Sequence, residues 1–243
     1  MHLLITRPEP DASVWRQQFE ARGIQASIDP LLRIALRPPD RLELDGVQAL
    51  IATSRNGLRG LAQSPALAKA AVLPLYAVGP GTAGLARKLG FNHIHEGPTA
   101  ARELVSLVAA NANPADGALL HLSGDKLAFD LSAALGEQGF DVRRLIVYRS
   151  RAADQLQPHT IDLLRTGTID TVTLMSPLSA RTFLALGRDA DLLKQYQRLV
   201  YICLSPNIAQ ALSPLGSPHI HVADGPNSNA MFTLIERLAA APR

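Results

Sequence analysis

The chain has 243 residues and a mass of 26.0 kDa, room for one large domain or two small ones. With 47% hydrophobic residues, 19% charged residues and one cysteine, it is a globular chain with a sizeable core and no internal disulfide; a disordered, collagen-like or disulfide-framed protein is excluded. Lys and Arg number 24 against 21 Asp and Glu, a net +3 that leans only weakly toward anionic ligands, and the sparse aromatics are never interleaved with basic runs as a nucleic-acid platform requires.

The opening "MHLLITRPEP" has an apolar run too short for a secretory signal, and no later stretch approaches ~18 apolar residues, so a cytoplasmic location without membrane contact is expected. Strands are expected over 3–6, a run ending near Ala35, 49–53, 75–78, 93–95, 118–122, 145–148, 171–175, 200–204 and 220–223. Between them Ala12, Trp15 and Phe19, and later Leu127, Leu131 and Leu135, fall at helical spacing and line packing faces. Strands alternating with helices in this way predict an α/β protein with largely parallel sheets.

The chain also repeats itself once. "LLITRPEP" aligns with "LLHLSGDK" at an offset of 116, "ALIATSRNG" with "TVTLMSPLS" at 122, and His93 with His219 near the two ends. Two similar lobes enclosing a ligand cleft are therefore expected. "RIALRPPDR" and "RRLIVYRSR" occupy equivalent places in the halves and read as two linkers. Their arginines (Arg33, Arg37, Arg41, Arg143, Arg144, Arg149, Arg151) serve either to guard edge strands or to draw in an anion.

"GPGTAG", starting at Gly79, matches the G-x-G-x-x-G pattern, but it lies deep in its half and not after a first strand; a tight turn offering N–H groups and Thr82 to an anion is the more economical reading. His93 with His95, and His219 with His221, are H-x-H pairs without an evident third ligand, and Cys203 sits in an apolar strand run as a core residue. More telling, small hydroxyl residues recur where strands yield to helices: Thr6, Thr53, Ser54, Thr82, Ser123, Ser176, Ser179 and Ser205. Each is an ordinary helix cap when taken singly, but as a set they suit an oxygen-rich ligand at the carboxyl edge of a parallel sheet.

Taken in order, "LLITRP", "TSRNG", "YAVGPGTA", "VYRS", "SPLSARTF" and "HVADGPNSNAM" resemble the uroporphyrinogen-III synthase family over essentially the whole chain. The resemblance implies two flavodoxin-like (Rossmann-like) parallel-sheet lobes joined by a two-stranded linker, residues 1–36 with 151–243 and residues 37–150, with linkers near 31–41 and 143–151. It also implies closure of hydroxymethylbilane to uroporphyrinogen III, with inversion of the last pyrrole ring and loss of water, without metal or organic cofactor. The implied partners are the polycarboxylate tetrapyrrole itself and the upstream hydroxymethylbilane-forming enzyme as a handover partner. The family's linker tyrosine falls on Tyr148, the implied catalytic residue. Substrate contacts fall on Thr6, Arg7, Ser54, Arg55, Asn56, Gly79, Thr82, Ser123, Gly124, Ser176, Ser179, Ser205 and Asn207. Two departures stand out: Ser205 to Ala209 replace a Gly-Pro-Thr-Thr-Ala turn, and Ser123-Gly124 stands where Arg-Gly is expected. The alternatives are a non-catalytic two-lobed anion binder or sensor, and a nucleotide-binding protein using the glycines from Gly79 to Gly84.

Overall fold

The computed structural model describes every residue except Thr99, Ala128, Ser217, Pro242 and Arg243. A first strand–helix–strand step comprises β1 (His2–Ile5), α1 (Asp11–Glu20) and β2 (Gln25–Ile28). β3 (Leu32–Leu36) leads to β4 (Val47–Ala52), α2 (Arg55–Ala62), α3 (Leu67–Ala70), β5 (Leu75–Val78), α4 (Gly79–Lys88), β6 (Ile94–Gly97) and α5 (Leu104–Asn111). A second step follows with β7 (Ala118–Gly124), α6 (Leu131–Gly136) and β8 (Val142–Ala152). The remainder is α7 (Pro158–Arg165), β9 (Thr171–Leu174), α8 (Pro177–Asp189), α9 (Leu193–Tyr196), β10 (Val200–Cys203), α10 (Pro206–Gln210), β11 (His219–Val222) and α11 (Ser228–Ala240).

These elements form two compact units, Met1–Arg33 with Arg151–Arg243 (unit 1) and Ile34–Ser150 (unit 2). Unit 1 has the sheet order β11-β10-β9-β1-β2, and the sheet of unit 2 runs β3-β8-β7-β4-β5-β6. Apart from β3, every neighbouring pair is parallel. Renumbered in chain order, the sheet of unit 1 reads 2-1-3-4-5, the flavodoxin-like order; that of unit 2, apart from β3, reads 3-2-1-4-5, which becomes the same 2-1-3-4-5 arrangement when β7 and β8 are counted first. This is the expected fold class. β3 is an added edge: the Arg37 N–H donates to the Val147 carbonyl (2.8 Å) and the Ala153 N–H to the Leu31 carbonyl (2.9 Å), so it runs antiparallel to β8.

Central strands such as β1, β4, β7 and β9 are buried on both faces, which explains why they read as continuous apolar runs. Each sheet accordingly has a hydrophobic cluster on either side. In unit 1, Leu4, Val172 and Tyr201 of the sheet cluster with Phe183 of α8, and on the other face Leu3 clusters with Trp15 and Phe19 of α1 and Ile235 of α11. In unit 2, Leu50, Leu122 and Val147 of the sheet cluster with Leu58 of α2 and Ala83 of α4, and on the other face Ile51 and Tyr76 cluster with Leu104 of α5 and Leu131 of α6.

One strand expectation needs correction. The single run ending near Ala35 is two strands in different sheets, β2 and β3. The break falls at Asp29-Pro30, because Pro30 has no N–H to give a ladder and Asp29 turns its own N–H to the Ile5 carbonyl (3.1 Å). The Asp29 carboxylate, 3% exposed, accepts from the Gln157 N–H at 2.8 Å ahead of α7, and burial holds this carboxyl above its ordinary range.

Helix α2 approaches the sheet closely at Gly60, where an added Cβ would lie 2.3 Å from the Val147 carbonyl oxygen and 2.8 Å from its Cβ. Backbone on a central strand cannot give way cheaply. Gly60→Ala is therefore expected to destabilise the protein by roughly 1–3 kcal/mol through overpacking, read as a lower urea midpoint at unchanged slope.

Candidate active site

In an open sheet of 2-1-3-4-5 order, ligands meet the carboxyl edge where the connections diverge, between strands 1 and 3. In unit 2 that point lies between β7 and β4. Ser54 follows β4 and caps α2, its Oγ accepting from the Asn56 N–H at 3.0 Å. Asn56 in turn accepts through Oδ1 from Arg59 at 2.9 Å. Gly79, with φ +71°, begins α4 directly after β5. The turn brings α4 alongside α2, so that a Cβ on Gly81 would lie 3.9 Å from Arg55 Cδ and Nε. Thr82, in the first turn of α4, is 5% exposed, and its hydroxyl has no hydrogen-bond partner among the described residues.

On the other side of the divergence, β7 ends at Ser123-Gly124 and a bulge there pairs Gly124 with Tyr148 of β8. The half-buried Tyr148 ring lies against Gly124 so closely that a Cβ would meet its Cζ, Cε2 and hydroxyl at 2.6, 2.7 and 2.9 Å. The Tyr148 hydroxyl has no protein partner among the described residues. Ser123 is fully buried; its Oγ accepts from Arg144 Nε at 2.9 Å. The structure thus brings Ser54, Arg55, Asn56, Gly79, Thr82, Gly124 and Tyr148 to one edge of unit 2, while the Ser123 hydroxyl is spent on Arg144.

Unit 1 has the same plan at the ends of β1, β9 and β10. Buried Thr6 follows β1 and its hydroxyl donates to the Thr173 carbonyl, tying β1 to β9 across the divergence. Next to it, the Arg7 guanidinium lies over the Trp15 ring, 4.3 Å from its centroid, and reaches Asp11 at 3.5 Å. Ser176 and Ser179 form a reciprocal box at the start of α8: Ser176 Oγ accepts from the Ser179 N–H (3.0 Å) and Ser179 Oγ from the Ser176 N–H (3.1 Å). Ser205 precedes α10 without making a side-chain cap bond, and Asn207 beside it is exposed.

Two side chains at this edge go beyond the sequence reading. His121, in the middle of β7 and fully buried, places Nε2 3.3 Å from Thr53 Oγ1 across the β4–β7 divergence, while its Nδ1 is without a partner among the described residues. Burial, then the Arg144 charge, push its pKa down to about 4 against an opposing pull from Asp130, so the ring is neutral. A single polar residue inside the run "LLHLSG" was the available signal. Arg144, read only as one of the linker arginines, is exposed and reaches along the neighbouring strand to the end of β7: Nε on Ser123 Oγ, Nη2 on the carbonyls of Gly124 and Asp125.

The other motifs stand apart. His95 stacks on Tyr76 with centroids 4.6 Å apart, His219 and His221 are exposed on the edge strand β11, and no metal-binding group of three or more His, Cys, Asp or Glu forms among the described residues. Cys203 is buried, which pushes its thiol up to about 12. A hollow of about 500 Å³ between α7 and α8 is lined by Leu156, Ile161, Arg165 and Leu186 and by none of the candidate residues. Among the described residues, no helix is long and apolar enough to cross a membrane.

The geometry defines a class: an α/β protein of two flavodoxin-like units, with glycine and hydroxyl residues gathered at strand ends. A family model described as "Uroporphyrinogen-III synthase HemD" matches residues 13–233, and the chain belongs to the uroporphyrinogen-III synthase family, cofactor-independent lyase-type cyclases of porphyrin and haem biosynthesis. The synthase function in tetrapyrrole biosynthesis follows from that membership. Among solved structures, the uroporphyrinogen-III synthetase of Helicobacter pylori is 20% identical, with 98% of this chain and 99% of that chain covered and a TM-score of 0.67. A mutant uroporphyrinogen III synthase of the extremely thermophilic bacterium Thermus thermophilus is 18% identical, with the same coverage and a TM-score of 0.59. At these identities the two structures bear on fold alone. The curated proteins searched contain no match.

Two outcomes follow from the site's geometry. Gly124→Ala should push the Tyr148 ring off its seat and lower single-turnover rates at least tenfold with little change in stability, since the obstructing atoms are the far end of one side chain; unchanged rates would mean that ring placement is immaterial. His121 gives a pH dependence. As pH falls from 6.5 toward 4 the unfolded chain takes up a proton on His121 that the folded chain refuses, so stability is lost as pH falls, by about 3 kcal/mol in all. Urea unfolding at a series of pH values should show this loss flattened in His121→Gln.

Proposed function

We propose that Tyr148 is the acid that protonates the departing hydroxyl of hydroxymethylbilane, and that the strand-end residues of each unit hold the substrate's carboxylates and pyrroles in a reactive fold. The observation carrying this reading is the seat of the Tyr148 ring on Gly124, beside the β4–β7 divergence, with its hydroxyl unpartnered among the described residues.

The chemistry asks little more of the protein. When the C–O bond breaks, electron density from the adjacent pyrrole stabilises the azafulvene-type cation, and the hydroxyl leaves as water once it takes the Tyr148 proton. The last ring closes on this cation through the α-carbon that already carries its methylene bridge; the bridge carbon then breaks from that atom and bonds to the ring's free α-carbon, which inverts the ring as the macrocycle forms. A proton lost as that pyrrole regains aromaticity restores the phenol, so the protein ends unchanged. Holding a flexible linear chain with its ends together is the larger task, since proximity and orientation account for several kcal/mol of a barrier.

The candidate hydroxyls divide by what they already bind. Those of Ser54 and Ser176 cap helices, and those of Thr6 and Ser123 tie strands together, so they shape the edge. Thr82 and Ser205 keep theirs for the substrate. The N–H groups at the starts of α2, α4 and α8, together with Arg55, suit the carboxylates. Gly79, Asn56, Arg7, Ser179 and Asn207 complete the proposed contact set.

We also propose that the protein works in the cytoplasm and receives hydroxymethylbilane directly from the enzyme that makes it. That substrate closes spontaneously to the type I isomer, so a direct transfer shortens its exposure to water.

The test supplies fresh hydroxymethylbilane and separates the oxidised product isomers; type I alone would end the reading. In single-turnover runs Tyr148→Phe should be slowed ~100-fold or more, as for loss of a general acid. Ser54→Ala and Ser176→Ala should each slow turnover by no more than about tenfold while costing about 1 kcal/mol of stability as lost caps. If Tyr148→Phe matches them in rate, the proton comes from elsewhere.

A further inference from the structure

The end of β7 and the residue after it are held from two sides by the same neighbouring strand. From one side comes Arg144: Nε donates to Ser123 Oγ at 2.9 Å, and the two N–H bonds of Nη2 go to the carbonyls of Gly124 and Asp125, the latter at 2.9 Å. Further along β8, the Asp125 N–H donates to the Tyr148 carbonyl at 3.2 Å, and Asp125 Oδ1 accepts from the Ser150 N–H at 3.2 Å. Gly124 sits between these two sets of bonds, with the Tyr148 ring on its Cα.

Strand ends ordinarily fray, because their last carbonyls have no ladder partner. Here a planar, permanently charged fork supplies donors to three consecutive residues, which a lysine's single ammonium cannot reproduce in one plane. Charge-assisted bonds of this kind are about twice as strong as neutral ones, so the platform beneath Tyr148 is set before any substrate arrives.

We infer that Arg144 is a positioning residue for Tyr148, acting by fixing Ser123, Gly124 and Asp125 in the conformation on which the ring rests. The inference depends on the role proposed for Tyr148 only for its effect on rate. Its effect on the ring's position is independent of that role. Of the seven linker arginines, this one is thereby removed from the pool that merely attracts anions.

The test uses the full chain labelled with 3-fluorotyrosine. Its four tyrosines are Tyr76, Tyr148, Tyr196 and Tyr201, and the Tyr148 fluorine signal is identified by its loss in Tyr148→Phe. Arg144→Gln should shift and broaden the Tyr148 signal while those of Tyr76, Tyr196 and Tyr201 stay in place, which also certifies the fold. Single-turnover rates on hydroxymethylbilane should fall ten- to a hundredfold with KM changed less than threefold. Arg144→Lys should recover only part of the rate, and should give the same readouts if Arg144→Gln proves unstable. In a Tyr148→Phe background, Arg144→Gln should cost no more than about twofold, because the group it positions is already gone. An unmoved Tyr148 signal overturns the inference, and so does a rate loss that is undiminished in that background. Should Tyr148→Phe alone retain full activity, it is the acid role that falls, and the fluorine signal by itself then decides the clamp.

Discussion

The pairing of β4 with β7 is the constraint on which the rest of the candidate site depends. A parallel sheet cannot return by a hairpin, so the chain must leave each strand over one face or the other, and where the direction of travel reverses the edge opens. At that opening α2 departs over one face from β4 while β7 runs on to α6. That gap is flanked by Ser54, which follows β4, and by Gly124 at the end of β7, on which the Tyr148 ring of β8 rests. His121 and Thr53 bridge the same junction from within, and Thr6 with Thr173 does the equivalent work between β1 and β9. Both divergences are thus fastened by hydrogen bonds, buried between β1 and β9 and part-buried between β4 and β7, which leaves the outer edge free to present functional groups.

Much of this was legible in the residues. Continuous apolar runs marked central strands, hydroxyls after them marked helix starts, and the repeat implied two lobes of one plan, each of them a local signal. What could not be read was nonlocal. Nothing within residues 25–36 says that β2 and β3 belong to different sheets, because β2 joins β1 while the partner of β3 is β8, more than a hundred residues away. In the same way the target of Arg144 depends on the β7–β8 register and on the bulge at Ser123/Gly124, neither of which has a signature in "RRLIVYRS". The missing arginine at position 123 looked like a lost contact. In the structure a guanidinium nevertheless reaches Ser123, from the next strand.

The site also shows how local hydrogen-bond competition sorts residues of one type. Serine and threonine at a strand end can bind the helix that follows, a neighbouring strand or a ligand, and the nearest unsatisfied donor usually wins. Ser54 and Ser176 are taken by the N–H groups of α2 and α8, two and three residues on. Thr82 lies inside the first turn of α4 and Tyr148 within β8, away from any cap position, and no backbone group among the described residues claims their hydroxyls. Chemical type alone could not separate these two groups; position relative to the helix start does.

The repeat has been shuffled between the units: each is built from the first strand–helix–strand step of one half and the last three strands of the other. Unit 2 is one continuous stretch, so it can complete its sheet while the ribosome is still working. Unit 1 cannot. Its opening segment β1–α1–β2 is made first, and β1 lacks its inner neighbour until β9 emerges, well over a hundred residues later, a wait on the order of ten seconds at ordinary synthesis rates. During that interval the apolar strand β1 has an open pairing edge, the kind of surface on which chains associate wrongly. The newly made protein therefore passes through a stage in which its finished half must stay soluble while its beginning waits for its end.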